Sequence, residues 1–457
     1  MSKTIKIKKG FDINLIGKSQ EILAESESYK YALRPKDYIG ISPKLLVQEG
    51  DRVKAGSPVF FSKTNGKIIF TSPVSGVVES IVRGEKRVIE YIKINADKEL
   101  EYEDFGKESL AAMNREKVVE KLLISGAWTT IRQRPYSIIP NPESTPKCII
   151  ISGFDSSPLA PDYSILLKGK AAEMQLGIDV LSKLTVGKIH VNIHSKQAKV
   201  KELLGLQNVQ INTFEGPHPV GNVSLQISKL DPINKGETIW YINPQDVVMI
   251  GNLFLKGILD TERIIALTGS EVKNPQYFKG RKGMSISSLV EDNVNKESHK
   301  RYISGNVLTG TKIDADGYLG AYDNQITVIK EGDYYEFLGW IMPGIKKFSF
   351  SRTFVSGFLK YLPSSFRKPI EIDTNLHGGE RAFVVTGEFE KVFPFDIYPL
   401  QLIKACIIED IDQMEQLGIY EIDAEDFALC EVIDPSKTEI QKIIRNGLEL
   451  IRKEMGE

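Results

Sequence analysis

The sequence predicts a chain of several α/β and β domains, and three observations carry that prediction. Short strands punctuated by Gly and Pro run from about Ile5 to Ile94, strands then alternate with amphipathic helices to about Gly257, and a helical tail closes the chain after Leu400. At 457 residues with 41% hydrophobic side chains, there is material for roughly two to four domains, each with a core of its own.

The first unit reads as a biotinyl- or lipoyl-type β-sandwich. "EGDRVKAGSPVFF" and "GKIIFTSPVSGVVESI" each join strands through Gly-bearing turns, where glycine supplies backbone conformations closed to other residues. A working carrier needs a lysine at the hairpin tip, eight residues before the Pro of the S-P-x-x-G turn, and eight residues before Pro73 stands Asn65. Lys63 and Lys67 flank it two residues off on either side, which keeps the strand face but moves the amine off the tip. A structural sandwich with an empty tip is therefore expected, and no swinging arm.

A charged linker, "NADKELEYEDFG", leads into "KESLAAMNREKVVEKLLISGAW", whose apolar residues recur at helical spacing and stop at Gly126. Beyond it, "KCIIISGF" predicts a buried parallel strand, "KAAEMQLGIDVLSKL" an amphipathic helix, and "GKIHVNI" and "NVQINTF" further strands, together an α/β layer on a mostly parallel sheet. Arg263 to Gly332 returns to strands and turns. In the tail, "DPSKTEIQKIIRNGLELIRKEM" opens with a Pro and Ser cap region and puts Ile440, Ile443, Ile444, Leu448 and Ile451 on one helix face.

Composition narrows the function. Lys and Arg number 59 against 60 Asp and Glu, and a net charge of -1 gives no electrostatic case for nucleic acid or an anionic membrane as partner. Cys148, Cys406 and Cys430 are odd in number and far apart, which fits a reducing compartment. The opening "MSKTIKIKKGFDINL" alternates basic and apolar residues without a signal-peptide core, so a cytoplasmic chain is expected. Runs such as "NLFLKGIL" fall far short of the roughly 20 residues of a membrane span, so membrane association is expected only through a partner.

The most unusual local text is "GAWTTIRQRPYSIIPNP". Arg132 and Arg134 beside Trp128 and Tyr136 suit a planar, oxygen-bearing ligand that they could stack on and hydrogen-bond; equally, Trp128 can be core and the arginines can hold the loop by its carbonyls. His190 and His194 lie four apart on a predicted strand, about 13 Å from each other, and cannot share one ion. His218 in "FEGPHPVG" reads first as a rigid loop residue. Gly378 and Gly379 near Arg381 lack the following helix of a phosphate cradle. No G-x-G-x-x-G after a strand, Walker motif, G-x-S-x-G or cysteine cluster occurs, so no self-contained catalytic apparatus is expected.

Taken in order, "IKKGFDINLIG", "FTSPVSGVV", "SGAWTTIRQRPYS", "FEGPHPVGN", "QDVVMIGNLFLKG", "ISGNVLTGTK", "FLGWIMPG" and "AEDFALCEVIDPSK" resemble the A subunit of the sodium-translocating NADH:quinone reductase, a bacterial respiratory complex of six subunits, from end to end. The family is similar in layout to the flavin-binding subunit of respiratory complex I and the C subunit of the Rnf complex. The resemblance implies a barrel-sandwich hybrid with an N-terminal strand over residues 1–100 and a Rossmann-like α/β domain over 101–257. It further implies an SLBB-type β-grasp domain over 258–335, and over 336–457 a region ending in a helical domain without an iron-sulfur cluster. Flavin-binding relatives have a glycine-rich loop where this chain keeps only Gly126, and relatives with clusters have cysteines where Cys430 stands alone and Asp434 precedes Pro435.

What the resemblance implies for function is a peripheral subunit on the cytoplasmic side of the inner membrane, without a redox centre of its own. It would contribute to quinone binding and assembly while the whole complex oxidises NADH, reduces quinone and exports sodium. FMN, FAD, riboflavin and the iron-sulfur centre then fall to the five partner subunits, chiefly a membrane subunit sharing the quinone site, and the isolated chain is inactive. Matching "LRPKDYIG" and "IRQRPYS" makes Tyr38, Arg132, Arg134 and Tyr136 the quinone-site candidates. A scaffold that never touches quinone is the alternative.

Overall fold

The computed structural model describes residues 4–197, 200–339, 341–345, 347–350, 354–361, 369–379 and 381–456; Trp340 of "FLGWIMPG" and Glu380 of "NLHGGERAF" lie outside them. The α/β domain is built on a six-stranded sheet in the order Thr4–Lys6, Gln210–Glu215, Ile189–His194, Ile149–Ser152, Ile239–Tyr241, Arg132–Arg134. Every pair is parallel except the last. Ile149, Ile150 and Ile151 are fully buried, as expected of a central strand covered by helices on both faces. Two of those helices, Ala171–Ser182 and Pro244–Lys256, cross at paired glycines. A Cβ on Gly251 would lie 1.8 Å from the Glu173 carbonyl oxygen, and one on Gly177 2.2 Å from that of Val247, so only glycine permits this approach.

The barrel-sandwich hybrid pairs Lys30–Leu33, Ile89–Ala96, Gly76–Arg83 and Arg52–Val53 in one sheet with Pro43–Leu45, Pro58–Ser62 and Ile69–Thr71 in the other. Phe60 and Phe70 stack at 4.3 Å in its core. At the hairpin tip the Asn65 side-chain oxygen accepts the Lys67 backbone N–H at 3.1 Å, an Asx turn, and the Lys67 amine pairs with Glu143 at 2.9 Å. Residues 4–25 belong to neither of these sheets: Thr4–Lys6 edges the α/β sheet, and Gln20–Glu25 pairs in parallel with Gln276–Arg281.

The SLBB domain carries a mixed sheet in the order Thr311–Ile313, Lys300–Ser304, Gln325–Lys330, Glu262–Thr268, Gln276–Arg281, Gln20–Glu25. The C-terminal region packs helices Pro399–Ile407, Ile411–Gln416, Ala428–Ile433 and Ile440–Glu454. Ile440, Ile444, Leu448 and Ile451 are buried on the last of these, and Ile443 is half-buried at the rim of that face. The expected Pro and Ser cap region is a turn organised by Asp434, whose carboxylate accepts the Ser436 and Thr438 backbone N–H groups at 3.1 and 2.9 Å. Among the described residues no helix is long and apolar enough to cross a membrane.

Candidate functional site

The strand Arg132–Arg134 runs antiparallel to Ile239–Tyr241, with Arg132 opposite Tyr241 and Arg134 opposite Ile239. Side chains two apart share a strand face, so both arginines and Tyr241 meet on one side of the sheet edge. The Arg132 guanidinium carbon lies 4.5 Å from the Tyr241 ring and 4.2 Å from the Tyr322 ring; that of Arg134 lies 4.7 Å from Tyr241. Tyr322 in turn meets Tyr38 edge-on at 5.7 Å and fixes itself by donating its hydroxyl to the Thr129 carbonyl at 2.8 Å. Tyr38, Tyr322, Arg132, Tyr241 and Arg134 thus form one stack, each guanidinium held against a ring face. It runs from the sandwich, through the SLBB domain and the α/β sheet edge, to the C-terminal helices.

At its far end Arg134 is 2% exposed and pairs with Asp423 and, at 2.5 Å, with Glu425. Asp423 also pairs with Arg445 and accepts the Ser137 hydroxyl at 2.5 Å. Burial alone would raise the Asp423 carboxyl, but the Arg134 and Arg445 guanidiniums outweigh it and hold the group below the usual carboxylate range. Asp426, buried beside Glu425, is pushed up instead, by burial first and by that neighbouring carboxylate second. Tyr136 is buried against Tyr420 at 6.3 Å, and its carbonyl accepts an Arg445 N–H at 2.8 Å.

Arg132 is different. It is half-buried, its guanidinium lies against two tyrosine rings, and among the described residues its side chain makes no hydrogen bond or ion pair. Its N–H groups are therefore unspent donors of the stack, together with the buried Arg134 Nε–H. Against Tyr322, where the sandwich, α/β and SLBB domains meet, lies a cavity of about 40 Å³ lined by Asp37, Tyr38, Thr129 and Lys282 among others. That is room for roughly two or three water molecules and not for a six-membered ring. Burial pushes the Asp37 carboxyl up to about 6, with Arg34 opposing the shift, and pushes the Lys282 amine down to about 8 despite Asp246 at 2.8 Å. Burial also raises the Tyr38 hydroxyl.

The structure therefore divides the four sequence candidates. Tyr38 and Arg132 lie at the water-sized cavity and its neighbouring stack, whereas Arg134 and Tyr136 are committed to the C-terminal helices. Neither local reading of the loop is complete: Trp128 is core, edge-on to Trp240 at 5.3 Å with its indole N–H donated to Pro140 at 2.9 Å, while Arg134 holds the loop through carboxylates and not carbonyls. Tyr241, Tyr322, Asp423, Glu425 and Arg445 escape sequence reasoning, because nothing in their local text marks them as partners of residues far away in the chain.

Other motifs resolve into structure. Gly126 has φ +79°, and a Cβ there would meet the Thr71 hydroxyl at 2.4 Å, so this glycine serves the contact between α/β domain and sandwich. In a doubly wound sheet the ligand crevice opens beyond the carboxyl ends of the strands where the order reverses, here Ile149–Ser152 and Ile239–Tyr241. The SLBB domain fills that place: Gln325 donates to the Pro158 carbonyl at 3.3 Å, and Arg263 and Lys282 both reach Asp246 at 2.8 Å. His190 bonds Asn212 at 3.2 Å, His194 accepts from the Lys196 backbone at 3.2 Å, and His218 bonds the Ser156 hydroxyl at 2.9 Å. Gly378 and Gly379 lie in coil beside Pro435, and Arg381 is exposed. Among the described residues no three His, Cys, Asp or Glu side chains are grouped to hold a metal, and burial raises the thiols of all three cysteines.

Comparison with known proteins settles the family. Residues 5–97 match the NqrA N-terminal barrel-sandwich hybrid domain, 113–259 the NqrA second alpha/beta domain, and 264–315 the NQRA C-terminal domain. The A subunit of the Na(+)-translocating NADH-quinone reductase of Yersinia pseudotuberculosis is 39% identical, covering 98% of this chain and 100% of its own length. The chain belongs to the NqrA family, the A subunits of Na(+)-translocating NADH-quinone reductases. Family members of the same name from Serratia proteamaculans and Neisseria gonorrhoeae are 39% and 38% identical over the same shares of both chains. Crystal structures of an NAD+-reducing [NiFe]-hydrogenase, H2-reduced and air-oxidized, match at 11% identity over 78% of this chain and 66% and 67% of theirs. Their TM-scores of 0.37 and 0.38 are too low to bear on fold or function.

Proposed function

We propose that this NqrA-family chain works as one component of a sodium-translocating NADH:quinone reductase, docked on the cytoplasmic side of the inner membrane through its partners, and that it contributes to quinone binding at Arg132. The flavins and iron-sulfur centre reside in partner subunits, and the isolated chain does not turn over. The observation that carries this reading is the Arg132 guanidinium, oriented by two tyrosine rings with its N–H edges unspent. A quinone oxygen gains negative charge as electrons arrive, and a preorganised cation at that oxygen stabilises the reduced side of the reaction. The cavity beside Tyr38 and Tyr322 is too small for the ring, so the head group sits at its mouth, with Asp37 and Lys282 lining the space behind it.

Replacing Arg132 by Ala in the assembled complex tests this. Quinone affinity is expected to fall at least tenfold, with assembly intact. Unchanged affinity in a normally assembled complex would instead support the second reading, a scaffold without quinone contact. One observation favours that alternative: Arg134 and Tyr136, half of the candidate residues, are spent on holding the C-terminal helices.

A further inference from the structure

Between Lys330 and Phe389 the described residues contain no strand or α-helix, an unusual length of chain for a compact protein. Part of it nevertheless folds on itself. The Lys347 amine reaches both the Glu336 carboxylate and, at 3.1 Å, the Gly339 carbonyl; the Val355 N–H donates to the Pro343 carbonyl at 2.9 Å, and the Ser356 hydroxyl to the Lys347 carbonyl. Phe348 and Phe350 anchor this loop to the body, each edge-on to Phe11, at 5.7 and 5.4 Å.

Other apolar side chains of this loop face solvent. Phe337 is 91% exposed, and Leu338, Ile341, Met342 and Ile345 are between 47 and 64% exposed, with Tyr335 fully exposed just before them. Taking roughly 150–250 Å² for an aromatic side chain and less for the aliphatic ones, these six together expose several hundred Å², on the order of one side of a protein interface. An anionic lipid surface is not the occupant this charge pattern fits. Four basic residues from Lys330 to Phe358 face three acidic ones, a net of +1, where a membrane-surface loop carries a marked basic excess.

We propose that the loop around Phe337, Ile341 and Ile345 is the docking surface of this chain, seated in an apolar groove on another protein of the complex. The inference rests on the functional reading above. The test is a full-length F337S/I341S/I345S variant, compared with the parent for its thermal unfolding midpoint and for its affinity toward the complex of the other five subunits.

The variant should keep the parent's midpoint, since it loses only solvent-facing side chains, and should bind the complex at least tenfold more weakly. Parental affinity of the variant would overturn the inference while leaving the functional reading standing. Failure of the parent itself to join the complex would overturn that reading and the inference with it. A parent chain that floats with phosphatidylcholine vesicles in a manner the three substitutions abolish would assign the loop to lipid and refute the protein partner. An Ile341→Arg variant gives a second arm: weaker docking with an unchanged midpoint supports the surface, and unchanged docking refutes it.

Discussion

Arg134→Met separates a structural arginine from a ligand-binding one. Methionine keeps much of the length and packing of the side chain but deletes the charge that faces Asp423 and Glu425. Removing one member of a buried ion pair costs roughly 3–5 kcal/mol, because the remaining charge stays buried. Asp423 retains Arg445, the Ser137 hydroxyl and the Ala424 N–H at 2.8 Å, which places the loss near about 3 kcal/mol. Against a total stability on the order of 5–15 kcal/mol, that is a large share. Urea unfolding of the isolated chain followed by circular dichroism reads it as an earlier first transition. An added Asp423→Asn should not recover the loss, since Arg445 then loses its carboxylate in turn. Arg132→Ala, which breaks no ion pair, should cost only about 1 kcal/mol in the same assay. An Arg134→Met chain as stable as the parent but deficient in quinone binding would refute this division of roles.

Three further outcomes follow from the same geometry. The His218 imidazole is pushed by burial from 6.5 down to about 4, so as pH falls the unfolded chain takes up this proton before the folded one does. Stability present above pH 6.5 is then lost on the way to pH 4, by about 3 kcal/mol, and the advantage of the parent over His218→Gln should narrow by that amount in denaturant titrations from pH 7 to 4. Gly251→Ala should drive a methyl into the Glu173 carbonyl and destabilise the α/β domain by roughly 1–3 kcal/mol, visible as a lower thermal midpoint. Intact mass spectrometry should return the mass of the unmodified sequence, and an added biotinyl or lipoyl group on Lys63 or Lys67 would revive the swinging arm.

The sandwich is legible in the sequence because its turns are local: Gly and Pro mark each one, and the missing lysine at Asn65 can be counted without knowing anything distant. The last helix is legible for the same reason, with Ile440, Ile444, Leu448 and Ile451 repeating at the helical period. The stack is not legible. Arg132 and Arg134 stand two apart on one strand face with near-identical surroundings in sequence, yet one is neutralised by carboxylates 289 and 291 residues away and the other keeps free donors. That difference is made by where the C-terminal helices and Tyr322 arrive, which no local spacing encodes. Cys430 and Asp434 likewise read as traces of a lost cluster, whereas the structure gives Asp434 a present task in organising the turn before the final helix.

The most direct test of the quinone assignment is a map of the assembled complex with quinone bound. Head-group density is expected at the junction beside Tyr38 and Tyr322, with a quinone oxygen in hydrogen-bond reach of the Arg132 guanidinium. Density held wholly by another component of the complex, with Arg132 still stacked between Tyr241 and Tyr322 and no ligand at its edge, would contradict it.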